Sequence, residues 1–187
     1  MPDLVLASSS PRRALLLSAA GYSFTTTAPD VDEATHAEES PEDAVLRLAR
    51  AKALVPNQPG AVVLAADTAV VLEGETLGKP RDRDHAIDML RRLGGRTHVV
   101  ITGWAIATAQ TIGEDGFDAT LVTMRDITQQ EAETYVDGGE PMDKAGAYAL
   151  QGEGKRFVTG IAGSRSNVIG LPLRAVVPAL ERAGVNR

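Results

Sequence analysis

The chain has 187 residues, no cysteine, and 19 Lys and Arg against 25 Asp and Glu, a net charge of −6. That length can bury a core in one domain or in two tightly fused lobes. The acidic balance argues against a general nucleic-acid or membrane binder, and the missing cysteine excludes a disulfide, a thiolate nucleophile and a zinc–thiolate site. The N-terminus has no basic segment leading into a long apolar run, and no stretch has the length of a transmembrane helix, so a cytoplasmic protein is expected.

Leu4-Val5-Leu6 suits a buried strand, and Ser8-Ser9-Ser10 must turn the chain. Ser10 is a good N-cap and Pro11 fits the first helical position, so a helix is predicted through Leu15, Leu16 and Leu17 to Gly21. The loop joins a strand end to a helix start, where free backbone N–H groups attract anions. Arg12 and Arg13 stand in that first turn, the wrong end for positive charge unless an anion occupies it. Arginine binds phosphate in a bidentate fork, which suits such a place. Two solvated surface arginines are the plainer alternative.

Tyr22 to Thr27 has strand composition, and Asp30, Asp32 and Glu33 follow on a loop. Such carboxylates are usually solvated, but facing a polyphosphate they could hold a divalent cation. Ser40-Pro41-Glu42-Asp43 opens a helix to about Leu54. At about 100° per residue, Val45, Leu48, Ala49 and Lys52 share one narrow arc, which puts a lysine on the apolar face. Lys52 either snorkels outward or meets an anion in a cleft. Ala61 to Leu72 is an almost continuous apolar run, as in a strand covered on both faces, and Asp67 interrupts it. A buried carboxylate is costly unless paired, hydrogen-bonded or metal-bound, so Asp67 is the most conspicuous residue of the chain.

Glu73-Gly74-Glu75 is a hairpin turn. Gly74 to Lys79 superficially resembles a P-loop, but the spacing is short and Pro80 stands where Ser or Thr must hold magnesium. Lys79 remains a candidate phosphate ligand or a solvated lysine. Asp82 to Leu93 is an amphipathic helix with Ala86, Met89, Leu90 and Leu93 inward. Thr97 to Ala109 and Ala119 to Arg125 read as strands about a turn at Gly113-Glu114-Asp115-Gly116, and Thr128 to Glu131 is a capping box starting a helix to Val136. The stretch Asp143-Lys144-Ala145-Gly146-Ala147-Tyr148-Ala149-Leu150-Gln151-Gly152 is rich in small residues, which suits close approach to a ligand. Gln151 could read a base edge through its amide, or simply be solvated. Phe157 to Ile161 is a short strand, and Gly170-Leu171-Pro172 opens a last helix that Pro178 should kink or split. No His pair of metalloprotease type and no nucleophile elbow is present.

An anion-binding helix start, lysines at 52 and 79 and carboxylates at 33 and 67 share one theme. Cations that neutralise phosphate, with carboxylates that hold magnesium and activate water, make a phosphate-anhydride hydrolase. Ser8-Ser9-Ser10-Pro11-Arg12-Arg13, Val31-Asp32-Glu33, Arg47-Leu48-Ala49-Arg50-Ala51-Lys52-Ala53, Ala66-Asp67-Thr68, Gly78-Lys79-Pro80, Asp143 to Tyr148 and Gly170-Leu171-Pro172-Leu173 resemble the Maf family of nucleoside triphosphate pyrophosphatases, nearly end to end and in order. The resemblance implies an α/β fold related to the inosine triphosphate pyrophosphatases. Its features are a long, bent mixed sheet flanked by helices and a single domain over residues 1–187, with two lobes around a central cleft.

The resemblance further implies cleavage between the α- and β-phosphates, giving the nucleoside monophosphate and pyrophosphate, with a divalent metal, Mg2+ or Mn2+, as cofactor. Asp67 would be the proton acceptor, Glu33 and Asp67 the metal ligands, and Lys52 and Lys79 would complete the catalytic set. Ser8, Ser10, Arg12, Arg13, Thr68, Lys144 and Gln151 would bind substrate. Relatives acting on dTTP and UTP carry Arg, Thr and Gln at the positions of Arg12, Thr68 and Gln151, whereas those acting on 7-methyl-GTP typically carry Trp, Gln and Glu. This chain has the first set, which favours dTTP and UTP, and modified pyrimidine nucleotides with them. It departs from related sequences at Arg165, where an aromatic is common. The expected partner is a small nucleoside triphosphate, with no nucleic-acid polymer and no membrane. A homodimer is an expectation of the resemblance only. The competing readings are a 7-methyl-GTP or inosine-type pyrophosphatase, and a non-catalytic nucleotide-binding regulator of septum formation.

Overall fold

In the computed structural model, residues 3–34, 36, 38–56 and 58–187 are described. Their strands are β1 (Leu4–Ala7), β2 (Thr25–Thr27), β3 (Val62–Leu72), β4 (Glu75–Leu77), β5 (Thr97–Thr108), β6 (Thr111–Met124) and β7 (Val158–Ala162). The α-helices are α1 (Pro11–Ala19), α2 (Pro41–Leu54), α3 (Arg83–Leu93), α4 (Gln129–Asp137), α5 (Arg165–Ile169) and α6 (Leu173–Arg182). Among the described residues the strands form one sheet in the order β2-β1-β3-β5-β6-β7, with β4 beside β3. β1 is parallel to both β2 and β3, while β3–β4 and β6–β7 are antiparallel, so the sheet is mixed. The mixed α/β class expected of the sequence is what the chain adopts. It divides into two compact units: Met1–Thr68, Thr102–Asp118 and Ser166–Arg187 form one, Ala69–Ile101 and Ala119–Arg165 the other. No helix of the described residues is long and apolar enough to cross a membrane.

In the first unit, alternation along β1 and β3 sorts the core into two faces. Leu4 and Leu6 of β1 join Val62, Leu64 and Ala66 of β3 in a cluster with Leu17 of α1 and Val176, Ala179 and Leu180 of α6. Val5 and Ala7 join Val63 and Ala65 on the other side, with Ala49 and Ala53 of α2. Successive strand residues point to opposite faces, so both faces of these strands are apolar and covered. The α2 face uses small residues because the helix lies very close to the sheet. A Cβ on Gly103 of β5 would stand 2.5 Å from the Val45 carbonyl oxygen and 2.8 Å from the Leu46 amide nitrogen. α2 itself begins as expected, with Ser40 accepting from the Asp43 N–H at 3.1 Å.

In the second unit, α3 packs on α4, with Asp82 capping α3 through the His85 N–H and Thr128 and Glu131 forming the capping box of α4. Tyr135 of α4 meets Phe157 edge to face at 5.4 Å. His98 and Tyr148, both buried, share a 2.8 Å hydrogen bond through His98 Nε2.

Three local expectations change. The turn expected at Gly113–Gly116 lies instead at Ala109-Gln110, both with positive φ (49° and 58°), which is the two-residue hairpin geometry. Gly113 and Gly116 stay inside β6, and a Cβ on Gly116 would stand 3.3 Å from the Trp104 ring, so this glycine makes room for the indole. Pro178 does not split the last helix: α6 runs through it, and the proline sits on the exposed side. The strand expected over Tyr22 to Thr27 is confined to Thr25–Thr27, because the Tyr22 ring is buried in the α1/α6 cluster instead.

Candidate active site

The alternation that builds the first unit also places its chemistry. Val63 and Ala65 face α2, and Asp67, two residues on, emerges on that side where the apolar run is interrupted. On α2, Val45, Leu48, Ala49, Lys52 and Ala53 are the buried residues, so Lys52 continues the stripe that packs on the sheet. The two side chains meet: Lys52 Nζ donates to Asp67 Oδ1 at 2.7 Å. Glu33, from the loop after β2, brings Oε1 to 2.6 Å from the same ammonium. Lys52 and Asp67 side chains are 10% and 19% exposed, and Glu33 is 54% exposed. A lysine so buried requires an ionic partner, and here it has two. One ammonium between two carboxylates leaves an excess negative charge at a place that opens to solvent on the Glu33 side.

On the opposite face of the same strand, Thr68 meets Arg13. Arg13 Nη2 donates to Thr68 Oγ1 at 3.0 Å, Nη1 to Ser8 Oγ at 3.2 Å and Nε to the Gly170 carbonyl at 2.8 Å. Thr68 Oγ1 also lies 3.0 Å from Thr102 Oγ1, and Thr102 donates to the Asn167 carbonyl at 2.9 Å. Burial pulls the Arg13 guanidinium down from the usual arginine range; the Asp67 charge acts against this, Arg12 adds to it, and Glu33 opposes it. It stays protonated regardless. Arg13 thus ties the turn after β1, β3 and the loop before α6 together. Ser10 has the extended backbone of an N-cap, but its side chain makes no capping hydrogen bond; its N–H donates to Ser8 Oγ at 3.2 Å.

Lys79, Lys144 and Gln151 belong to the second unit. Lys79 is exposed, and its loop is tied to the segment of Lys144 by the Gly146 N–H donating to the Gly78 carbonyl at 3.1 Å. Gly146 has a φ of +70° and faces the Val70 side chain, where a Cβ would stand 3.0 Å from Cγ1, so this close approach requires glycine. The Lys144 ammonium donates to the Glu140 carbonyl and to Asp143 Oδ1. Gln151 is exposed.

Among the described residues no group of three or more His, Asp or Glu side chains is arranged to hold a metal ion by itself. Magnesium does not require one, since it takes one or two carboxylates and fills its shell with water and phosphate oxygens. Glu33 and Asp67, both reaching the one Lys52 ammonium, fit that donor set.

A carboxylate–lysine–carboxylate group midway along a doubly covered strand, in a chain with a serine-rich turn into a helix, is accompanied by a family match over residues 3–183, to the family described as Maf-like protein. The chain belongs to the Maf-like family. A dTTP/UTP pyrophosphatase of Myxococcus xanthus is 53% identical over 184 residues, covering 97% of this chain and 93% of the relative. One from Anaeromyxobacter dehalogenans is 50% identical over 186 residues (98% and 95%), and one from Salmonella typhimurium 49% over 178 residues (92% and 89%). The crystal structure of a nucleoside-triphosphatase, or dITP/XTP pyrophosphatase, of Mycobacterium abscessus aligns with a TM-score of 0.44 at 15% identity, covering 97% of this chain and 95% of that one.

Within this Maf-like chain the structure adds residues that sequence reasoning passed over. Thr102 supports Thr68 from the neighbouring strand, and the only sequence signal was a hydroxyl inside the apolar run of β5. Gly103 lets α2 lie close enough for Lys52 to sit over Asp67. Glu140 gathers backbone amides from Glu153 and Gly154, which no local pattern announces.

Proposed function

We propose that this Maf-like protein hydrolyses dTTP and UTP to the nucleoside monophosphate and pyrophosphate. The observation that carries the reading is the Lys52 ammonium held between Asp67 and Glu33, 2.7 and 2.6 Å away, in a chain about half identical to proteins named for that activity. Asp67 accepts the proton of the attacking water as its oxygen bonds to the α-phosphorus. The bond from that phosphorus to the bridging oxygen then breaks, and pyrophosphate leaves with the electron pair. Lys52 keeps Asp67 oriented and offers positive charge to the phosphate oxygens as negative charge grows on them.

Glu33 and Asp67 are the residues that would hold a divalent cation, Mg2+ or Mn2+, which when bound supplies charge neutralisation and a more acidic water. Arg12, with the helix start behind Ser8 and Ser10, supplies donors for phosphate. Arg13 and Thr68 hold that turn on the strand that carries Asp67. For the second unit the proposed roles are phosphate contacts from Lys79 and Lys144 and base reading by Gln151. A carboxamide offers one donor group and one acceptor, which complements the N3–H and O4 edge that uracil and thymine share. Such a reader accepts both bases because they differ only in a methyl group on another edge.

The test is pyrophosphate release from dTTP, UTP, CTP, GTP, ITP and 7-methyl-GTP with Mg2+ or Mn2+, run beside Asp67→Asn. Selective turnover of dTTP and UTP is expected, reduced by about 10²–10⁴-fold in the variant. Turnover of 7-methyl-GTP in their place overturns the assignment of Arg12, Thr68 and Gln151. An active Asp67→Asn removes Asp67 from its role, and nucleotide binding without turnover of any substrate favours a regulator.

A further inference from the structure

Gln151 is exposed on a turn, between buried Leu150 and the 3-10 turn Glu153–Phe157. An exposed amide discriminates between bases only if its backbone is already held, because ordering a loop on binding costs affinity. Two residues given no role so far supply the hold. The Ala149 N–H donates to the Tyr135 hydroxyl oxygen at 3.2 Å, two residues before Gln151. Two and three residues after it, the Glu153 N–H donates to Glu140 Oε2 at 2.9 Å and the Gly154 N–H to Glu140 Oε1 at 3.2 Å.

The two anchors are joined, since the Tyr135 hydroxyl donates to Glu140 Oε1 at 2.6 Å. Gly152 lies so near the carboxylate that a Cβ there would collide with it. The main-chain carbonyl of Glu140 accepts from the Lys144 ammonium, so one residue holds both the turn of Gln151 and the side chain of Lys144. Burial raises the Tyr135 hydroxyl above its usual range and Glu140 raises it further, which keeps it a donor. Burial also pushes the Glu140 carboxyl up, but the hydrogen bonds from Tyr135, Glu153 and Gly154 outweigh it and hold the group below the usual range.

We infer that Glu140, seated on Tyr135, is the positioning residue that fixes Gln151 and Lys144 relative to each other and thereby sets discrimination among nucleotide bases. This rests on the base-reading role proposed for Gln151. A loop clamped for stability alone would change melting temperature and overall rate, but not the preference for one base over another.

The experiment compares Glu140→Gln, Tyr135→Phe, Gln151→Ala and the Glu140→Gln/Gln151→Ala double variant with the unaltered protein. The readouts are kcat and KM for dTTP, UTP and CTP, and amide exchange at Glu153 and Gly154. Glu140→Gln keeps the shape but turns an NH2 toward a backbone donor, and Tyr135→Phe removes only the hydroxyl. The expected result is a fall of about tenfold in the dTTP-over-CTP ratio of kcat/KM, mainly through KM for dTTP, with faster exchange of the two amides. The double variant is expected to lose no more selectivity than Gln151→Ala alone, because the two act as one element. If Gln151→Ala destroys selectivity while both Glu140→Gln and Tyr135→Phe keep it, or if the losses add, the inference is overturned and base reading stands. If Gln151→Ala itself keeps full selectivity, base reading is overturned and this inference goes with it. If Glu140→Gln fails to fold, Tyr135→Phe decides by the same ratio.

Discussion

At the scale of single residues, Arg13 shows how a motif arginine can be committed to the protein rather than to solvent. Its three donors reach Gly170, Ser8 and Thr68, on three segments that are distant in sequence. Arg13→Lys keeps the charge but presents a single ammonium in place of a planar fork, so it cannot satisfy all three acceptors. The expected outcome is a loss of about 2–3 kcal/mol of stability in urea denaturation, accompanied by reduced turnover, with Arg13→Lys recovering little of what Arg13→Ala loses. Loss of substrate affinity with unchanged stability would instead make Arg13 a direct phosphate contact. Asp67 was legible from sequence as a lone carboxylate in an apolar run, and Lys52 as a lysine on an apolar helical arc. That Glu33 would share the same ammonium was not legible, because a loop residue carries no periodicity to say where its side chain ends.

Among elements, the contact of α2 with β5 decides whether Lys52 reaches Asp67. A side chain at position 103 would hold the helix off the sheet, and glycine avoids this. Gly103→Ala is expected to destabilise the protein by about 1–3 kcal/mol, the usual cost of overpacking, and to lower turnover more than Ala substitutions at exposed β5 positions such as Thr108. Thermal melts and pyrophosphate release measure the two effects separately. The starts of α2, α3 and α4 could be read from sequence, since Ser40, Asp82 and Thr128 bond to their own first turns, whereas the short α5 could not, its residues reading only as a polar stretch. The Ala109-Gln110 turn could not, because neither residue favours positive φ, whereas the glycines at 113 and 116 did look like a turn. Strand pairing overrode both local preferences. Glu140 was equally hidden, since its partners are backbone amides 13 and 14 residues away.

For the whole molecule, acid stability follows from the buried His98. Burial holds its imidazole at about 4, against 6.5 for a free histidine. The unfolded chain therefore takes up the proton first. The stabilisation from a neutral His98 is complete above pH 6.5 and is lost as the pH falls from there to about 4, a span worth roughly 3 kcal/mol. The Arg47 and Arg125 guanidiniums hold Glu39 and Glu131 at about 2, so their share fades only below about 4.5. Urea midpoints taken near pH 7.5 and near pH 5 should differ by about 2 kcal/mol, and His98→Gln should flatten that difference. An equal slope in the variant would mean that other groups carry it. The double covering of β3 has its own consequence. With apolar residues on both sides, oil-like burial alone would tolerate sliding the strand by one residue. Asp67 and Thr68 break that indifference, since such a slip would aim the acid at Arg13 and the hydroxyl at Lys52. The polar pair thus acts as the strand's indexing pin: the acid proposed to activate water, and the hydroxyl beside it that Arg13 holds, also tell the chain where to stop.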